Sequence, residues 1–237
     1  MNFAIILSGG AGSRLKGIDL PKQYYKVCGR TILSYCMESI GRSGDLDAYV
    51  VVAAEEWRGT ILQEMQEVFS ETSFVRKKFQ GFASPGENRQ LSVLSGLYAL
   101  QGRAEETDIV LVQDAARPLT SAGLIGRCIE AAKGAGGAMP VLKMKDTVYY
   151  SADGTRIDSL LERDKILAGQ APEAFAFGLY LKANECLAKE EMLAVCGSSE
   201  PAVKAGIPVA LVDGEEENFK ITTAEDLRRF ENIMEEA

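Results

Sequence analysis

The chain reads as an α/β protein: a mostly parallel sheet with helices on both faces and a projecting β-arm. Three observations predict this. Apolar runs of strand length alternate with segments of helical period through the first 144 residues. That alternation, β-α-β-α-β-α-β-α-β, requires crossovers and hence parallel neighbours. After residue 144 the pattern gives way to β-rich stretches around Asp153-Gly154, a strong hairpin signal.

"FAIILS" (3–8) is the first predicted strand, and "TILSYCMESIGR" (31–42) the first helix, apolar at 32, 33, 36, 37 and 40. "AYVVVAA" (48–54) predicts a strand and "EEWRGTILQEMQEVF" (55–69) a helix. "SFVRKKF" (73–79) reads as a shorter strand, and "NRQLSVLSGLYALQG" (88–102) as a helix stopped by Gly102. "DIVLVQD" (108–114) is a strand, followed by a helix near 121–134 and a strand over 137–144. Residues 145–161 form the expected arm; 178–190 is a helix, 207–214 a strand, and 222–237 a closing helix with Thr222 and Glu225 as its capping box. The expected arrangement is Rossmann-like, a single domain over 1–237, with ligands beyond the carboxyl ends of the strands.

Composition narrows the function. The chain has 237 residues, 46% of them apolar and 25% charged, as in an ordinary globular protein. A net charge of −8 argues against a nucleic-acid surface but leaves room for a local positive pocket. No apolar run reaches the ~20 residues of a membrane span. The N-terminus lacks a basic region and a cleavage site, so the expected location is cytoplasmic. The five cysteines lack C-x-x-C spacing and read as buried free thiols. There is no histidine, which excludes a Ser-His-Asp triad and any histidine-ligated metal.

The turn "LSGGAGSRLKGIDLPKQY" (7–24) follows the first strand. It is not a P-loop, because Arg14 stands where the second glycine should be. It is not the dinucleotide fingerprint either, because Leu15 replaces the third glycine. Small residues at a strand end nevertheless let backbone N–H groups approach an anion, and Arg14 and Lys22 add positive charge. A solvated loop lysine is the plain alternative for Lys22.

The wider phrase resembles the signature L-x-G-G-x-G-x-R-[LM]…P-K of nucleotidyltransferases that join an NTP to a sugar phosphate. "VQDAARP" (112–118), "KDTV" (145–148), "GQAPEAF" (169–175) and "ENFKITTAEDL" (217–227) follow in the order of one family. That family is the 2-C-methyl-D-erythritol 4-phosphate cytidylyltransferases with the related ribitol 5-phosphate cytidylyltransferases. The resemblance runs from residue 3 to about 230.

The resemblance implies that CMP passes from CTP to a sugar-alcohol phosphate with Mg²⁺ as cofactor. It places Ser8, Gly9, Gly10, Gly12 and Ser13 around the CTP phosphates and makes Arg14, Lys22 and Lys220 catalytic. "SPGENRQLS" (84–92) resembles the cytosine-binding turn, giving Gly86, Glu87, Arg89 and Ser92, with Ala115 also at the nucleotide. A plain helix cap by Ser84 or Glu87 is the alternative there. Asp114 is the implied metal ligand. Arg117, Thr147 and Arg163 are the implied acceptor residues, with Arg163 reaching a second subunit through the arm of a homodimer. The carboxylates of "GEEEN" must then face solvent.

Two departures stand near the acceptor. Ala171 replaces a threonine, and Ser198-Ser199-Glu200 lacks the aspartate of relatives. "RDKILAGQAPEAF" and the step from Arg14 to Lys22 suggest a ribitol-type enzyme, "DAARP" the methylerythritol type; the reading inclines to ribitol. Competing readings are a hexose-phosphate nucleotidyltransferase, which should lack "DAARP", and a dehydrogenase, whose fingerprint is broken although Glu55 and Glu56 sit in the right place. A nucleotide-binding paralogue without turnover is the third.

Overall fold

The structure, a computed structural model, describes residues 1–10 and 20–236. β1 (Asn2–Leu7) is buried through its middle and is central to the sheet. After a 3-10 turn at Lys22–Tyr24, β2 (Lys26–Val27) and β3 (Arg30–Thr31) make a small hairpin. Cys28 and Gly29 turn it with φ of 48° and 80°, the positive pair that a two-residue hairpin needs. α1 (Ile32–Arg42) starts where the Thr31 hydroxyl accepts from Ser34 N. β4 (Ala48–Val52), α2 (Glu55–Val68), α3 (Phe74–Lys78), β5 (Phe79–Ala83), α4 (Arg89–Leu100), β6 (Ile109–Asp114), α5 (Ala122–Ala135) and β7 (Gly137–Lys143) follow.

The second half holds β8 (Tyr149–Tyr150), β9 (Ser159–Leu160), β10 (Leu167–Gly169), β11 (Glu173–Ala176), α6 (Phe177–Glu185), α7 (Lys189–Ala194), α8 (Ser199–Lys204), β12 (Val209–Asp213) and α9 (Ala224–Glu236). Sheet neighbours run β10-β7-β11-β6-β1-β4-β5, with β12 also on β7. β1 pairs in parallel with β4 on one side and β6 on the other, and β4 with β5. β11 runs antiparallel between β6 and β7.

Strand alternation sorts the core into two layers. Ala4 and Ile6 of β1 pack with residues of α1, α2 and α5. Phe3 and Ile5 face the opposite layer, with Val93 and Leu97 of α4 and Tyr180 of α6. α9 closes a third cluster, where Phe230 meets Ile32 and Ile221. This is the mostly parallel α/β fold expected. Among the described residues no helix is long and apolar enough to cross a membrane.

Several local expectations are corrected. Residues 73–79 do not form a strand: Ser73 caps α3, and the strand is β5, shifted to Phe79–Ala83. Ser73 offers a hydroxyl to Arg76 N, which tips a short, locally ambiguous segment to helix. The helix expected over 178–190 ends at Glu185, and α7 and α8 are separate. The cap of α9 lies one residue later than expected. Thr223 Oγ1 accepts from Asp226 N, and Asp226 Oδ2 accepts from Thr223 N. Only Cys36 and Cys128 are buried thiols; Cys28, Cys186 and Cys196 are exposed, and all five are free. β8 and β9 do pair as a separate two-stranded sheet.

Candidate active site

The chain leaves β1 toward β4 on one side, while β6 lies on the other, so their carboxyl ends flank a crevice. Leu7 and Asp114, the last residues of the two strands, are register partners. A cleft of about 450 Å³ opens there. It is lined by Leu7, Gly9, Gly10, Lys22, Gln23, Gly86, Glu87, Asn88, Arg89, Ser92, Asp114, Ala115, Ala116 and Lys220.

Two loops form its wall: the first packs on Pro85 of the second, and the second packs on the first turn of α4. A Cβ on Gly9 would lie 2.4 Å from Pro85 Cβ, and one on Gly86 would lie 2.4 Å from Leu91 Cβ and 2.7 Å from its carbonyl carbon. No side chain fits at either position. Gln23 Nε2 donates to the carbonyls of Ser8 and Gly10, both at 2.8 Å, fixing the start of the first loop. On the second, Ser92 Oγ accepts from Gly86 N at 3.0 Å and donates to Asn88 O at 2.8 Å. Asn88 Oδ1 caps α4 by accepting from Leu91 N.

Asp114 is the electrostatic centre. Arg89 Nη2 approaches its Oδ1 at 3.1 Å; Lys220 Nζ and Arg117 Nε lie 2.9 and 3.5 Å from its Oδ2. Burial alone would raise the pKa of Asp114, but the three cations together hold it well below the usual carboxylate range. Arg89 also reaches Ser198 Oγ, and Glu173 Oε1 at 3.7 Å. Glu173 is 4% exposed, and its Oε2 has no hydrogen-bond partner among the described residues. Burial pushes its pKa up to about 7, with Arg89 acting against that rise.

The structure brings Gly9, Gly10, Lys22, Gly86, Glu87, Arg89, Ser92, Asp114, Ala115 and Lys220 to one cleft. Gly12, Ser13 and Arg14 lie outside the described residues. Ser8 does not line the cleft. Its N–H donates to Val52 O and its carbonyl accepts from Gln23 and Tyr24, so its polar groups shape the loop. Arg117 is buried behind Asp114 and donates to Asn218 O at 2.5 Å. Thr147 and Arg163 are exposed, near or beyond the arm, and are not among the lining residues. Lys22 Nζ donates to Ile221 O at 2.6 Å, next to Lys220 in the chain. As required, Glu216 and Glu217 are exposed, and Glu215 turns to Arg127 and Ser121.

Sequence reasoning missed Gln23, Asn88 and Ala116 in the lining, and Gln170, Glu173 and Asn218 behind it. Gln23 had a signal, since it follows Pro21-Lys22 in the quoted turn. Gln170 and Asn218 stand in the quoted "GQAPEAF" and "ENFKITTAEDL", but a loop amide gives no local sign that it is buried.

The chain matches the family model described as IspD, 2-C-methyl-D-erythritol 4-phosphate cytidylyltransferase, over residues 2–236. It is 34% identical over 234 residues to the 2-C-methyl-D-erythritol 4-phosphate cytidylyltransferase of Clostridium acetobutylicum, covering 99% of this chain and 97% of that one. A ribitol-5-phosphate cytidylyltransferase of Streptococcus agalactiae is 27% identical over 235 residues, with 99% and 95% covered. The chain spans about half, 54%, of relatives named bifunctional enzyme IspD/IspF. The fold superposes on 4-diphosphocytidyl-2C-methyl-D-erythritol synthase from Anaerococcus prevotii with a TM-score of 0.78, at 26% identity, covering 99% of this chain and 96% of that one. A match over nearly the whole chain, on the fold and cleft just described, places it in a family: the chain belongs to the IspD cytidylyltransferases and is a CTP-dependent nucleotidyltransferase.

Proposed function

We propose that the chain transfers CMP from CTP to 2-C-methyl-D-erythritol 4-phosphate and releases pyrophosphate. The carrying observation is the convergence of Lys22, Arg89 and Lys220 with Asp114 of β6 beside the two small-residue loops that follow β1 and β5. An acceptor phosphate oxygen attacks the α-phosphorus of CTP. The new P–O bond forms as the α–β bridging bond breaks, and the electron pair leaves with pyrophosphate. The nucleophile is already an anion at neutral pH, so a chain without histidine needs no base. The work is alignment and charge neutralisation.

Gly9 and Gly10, with Gly12 and Ser13, cradle the triphosphate, and Arg14, Lys22 and Lys220 balance its charge. The turn Gly86–Ser92 reads the base, beside Ala115. Among the described residues no group of three acidic, histidine or cysteine side chains could cage a metal. A Mg²⁺ that takes most of its ligands from phosphate oxygens and water needs only one or two carboxylates. Asp114 fits, with Lys220 as the partner that would give way at Oδ2. When bound, the ion supplies neutralisation of the triphosphate.

Residues 1–237 act as one unit in this reading. Arg117 serves the acceptor side by orienting Asp114. Thr147 and Arg163 serve the acceptor phosphate, Arg163 that of a neighbouring subunit. The exposed Tyr149, Tyr150 and Leu160 of β8 and β9 give a homodimer its apolar contact.

Greater identity to the methylerythritol relative, 34% against 27%, supports that acceptor over the ribitol type to which the sequence inclines. The segment "RDKILAGQAPEAF" and the step from Arg14 to Lys22 support ribitol 5-phosphate as a second reading. A pyrophosphate-release assay separates them. CTP should outpace ATP, GTP and UTP with 2-C-methyl-D-erythritol 4-phosphate as acceptor; turnover with ribitol 5-phosphate alone selects the second reading. Equal rates with UTP reject the cytosine assignment. Light scattering should give a dimer at micromolar concentration, and a fully active monomer would reject Arg163 acting across subunits.

A further inference from the structure

The loop between β12 and α9 carries Lys220, and two residues earlier it carries Asn218, which is fully buried. Every polar group of Asn218 is engaged. Its Oδ1 accepts from Thr120 Oγ1 at 2.9 Å, and its Nδ2 donates to Ala171 O at 2.7 Å. Its carbonyl accepts from Arg117 Nη1 at 2.5 Å, and its N–H donates to Glu215 O at 3.1 Å. One side chain therefore joins the loop after β6, the loop before β11 and the Lys220 loop. The connection continues toward Asp114. Gln113, its chain neighbour, donates from Nε2 to Thr120 Oγ1 at 2.8 Å. The relay Gln113–Thr120–Asn218 thus links the backbone that carries Asp114 to the backbone that carries Lys220, separately from their direct ion pair.

We infer that Asn218 is the positioning residue for Lys220, holding its backbone in place while its ammonium exchanges Asp114 for a substrate anion. The physical need is specific. Lys220 must leave a carboxylate 2.9 Å away to meet a phosphate. Ile221 N donates to Ala116 O at 2.9 Å and so ties down the residue after Lys220, while Asn218 ties down the loop before it. With Asn218 in place the exchange is a side-chain rotation on a fixed backbone, and little ordering is left for the reaction step. Asn is suited to this because its amide accepts from one loop and donates to another, which neither Asp nor Leu can do.

The inference rests on the cytidylyltransferase reading, so the assay is CTP-dependent pyrophosphate release, with wild type as the control for that reading. No release by wild type would reject the reading itself. Given wild-type turnover, Asn218→Ala should lower kcat by about 10²-fold, the scale of an ångström-sized misplacement, with KM for CTP changed by no more than about 3-fold. Thr120→Val, which removes only the hydroxyl, should lower kcat about 10-fold. It carries the same test at low temperature should Asn218→Ala not fold. The decisive readout is non-additivity. In a Lys220→Ala background, the second substitution at Asn218 or Thr120 should change kcat by less than about 3-fold, since its effect runs through Lys220. If the double variant loses the full additional factor, or if the single variants raise KM and leave kcat intact, Asn218 is a packing residue and the inference is overturned.

Discussion

Lys220 Nζ lies 2.9 Å from Oδ2 of Asp114, so the loop before α9 meets the end of β6 in the cleft. The lysine side chain is 35% exposed and the carboxylate 10%. The cation can therefore move to a ligand while the carboxylate stays, because Arg89 and Arg117 also hold it. Lys220→Ala should leave a folded protein whose kcat falls by about 10²–10³, the usual loss for one transition-state donor. Stopped turnover with an unchanged melting temperature is the expected pair of results; near-normal kcat would make Lys220 a surface lysine.

Asp114→Asn acts on stability as well. It leaves Arg89, Arg117 and Lys220 facing one another with their common counter-charge gone. Removing one partner of a buried ionic cluster costs about 3–5 kcal/mol. The sign with pH follows from its lowered pKa. The stabilisation is complete above the ordinary carboxylate range of about 4 and is lost only in strong acid, as pH falls through the lower folded value. Denaturant melts at pH 7 should show the loss, and a variant as stable as wild type would refute the cluster's role.

Lys22 also lines the cleft and donates to Ile221 O, next to Lys220 in the chain, at 2.6 Å. Lys22→Met keeps most of the stem and removes the charge. We expect kcat to fall by about 10²–10³, and stability to fall by about 1 kcal/mol, the net worth of one hydrogen bond. Turnover close to the wild-type rate would show that the lysine only braces the Ile221 carbonyl.

The sheet was legible because its strands are long apolar runs. β1, β4 and β6 are buried on both faces and need no partner information to be read. β11 was not. It has four residues, follows Pro172, and becomes a strand only because β6 and β7 offer edges on both sides. α3 was misread for a related reason: "FVRKK", five residues with two adjacent apolar positions, is too short to choose between helix and strand by itself. At the site, glycines and cations were legible because phosphate chemistry demands those types. Asn218, Gln170 and Glu173 were not, since their meaning depends on burial, which only the assembled loops create.

Gly86 tests the packing of the second loop on α4. Alanine there would drive a Cβ within 2.7 Å of the Leu91 carbonyl carbon, which is backbone and cannot rotate away. The turn must shift relative to α4, and Ser92 would lose its bond from Gly86 N. Gly86→Ala should raise KM for CTP by at least about 10-fold, roughly 1.4 kcal/mol of binding, while the acceptor's KM changes little. An unchanged KM for CTP would remove this turn from the nucleotide site.

Glu173 gives the clearest pH experiment. Its side chain is buried beside Arg89, and burial raises its pKa from an ordinary 4.5 to about 7. The folded protein thus binds a proton at Glu173 that the unfolded chain has already released. Between about 4.5 and 7 the folded state holds more protons, so stability must fall as pH rises through that window and level off above it. The full effect is at most roughly 3.5 kcal/mol, since one pKa unit is about 1.4 kcal/mol. This is the opposite sign to Asp114. The chain has no histidine, so no ordinary side chain titrates in the same window to obscure it. Glu173→Gln keeps the shape and removes the ionisation. It should be about as stable as wild type at pH 5, more stable at pH 7.5, and nearly flat between them. If wild-type stability does not decline from pH 5 to 7.5, or if Glu173→Gln keeps the same slope, then Glu173 is ionised throughout that window and the cluster around Arg89 carries one more negative charge than its burial allows.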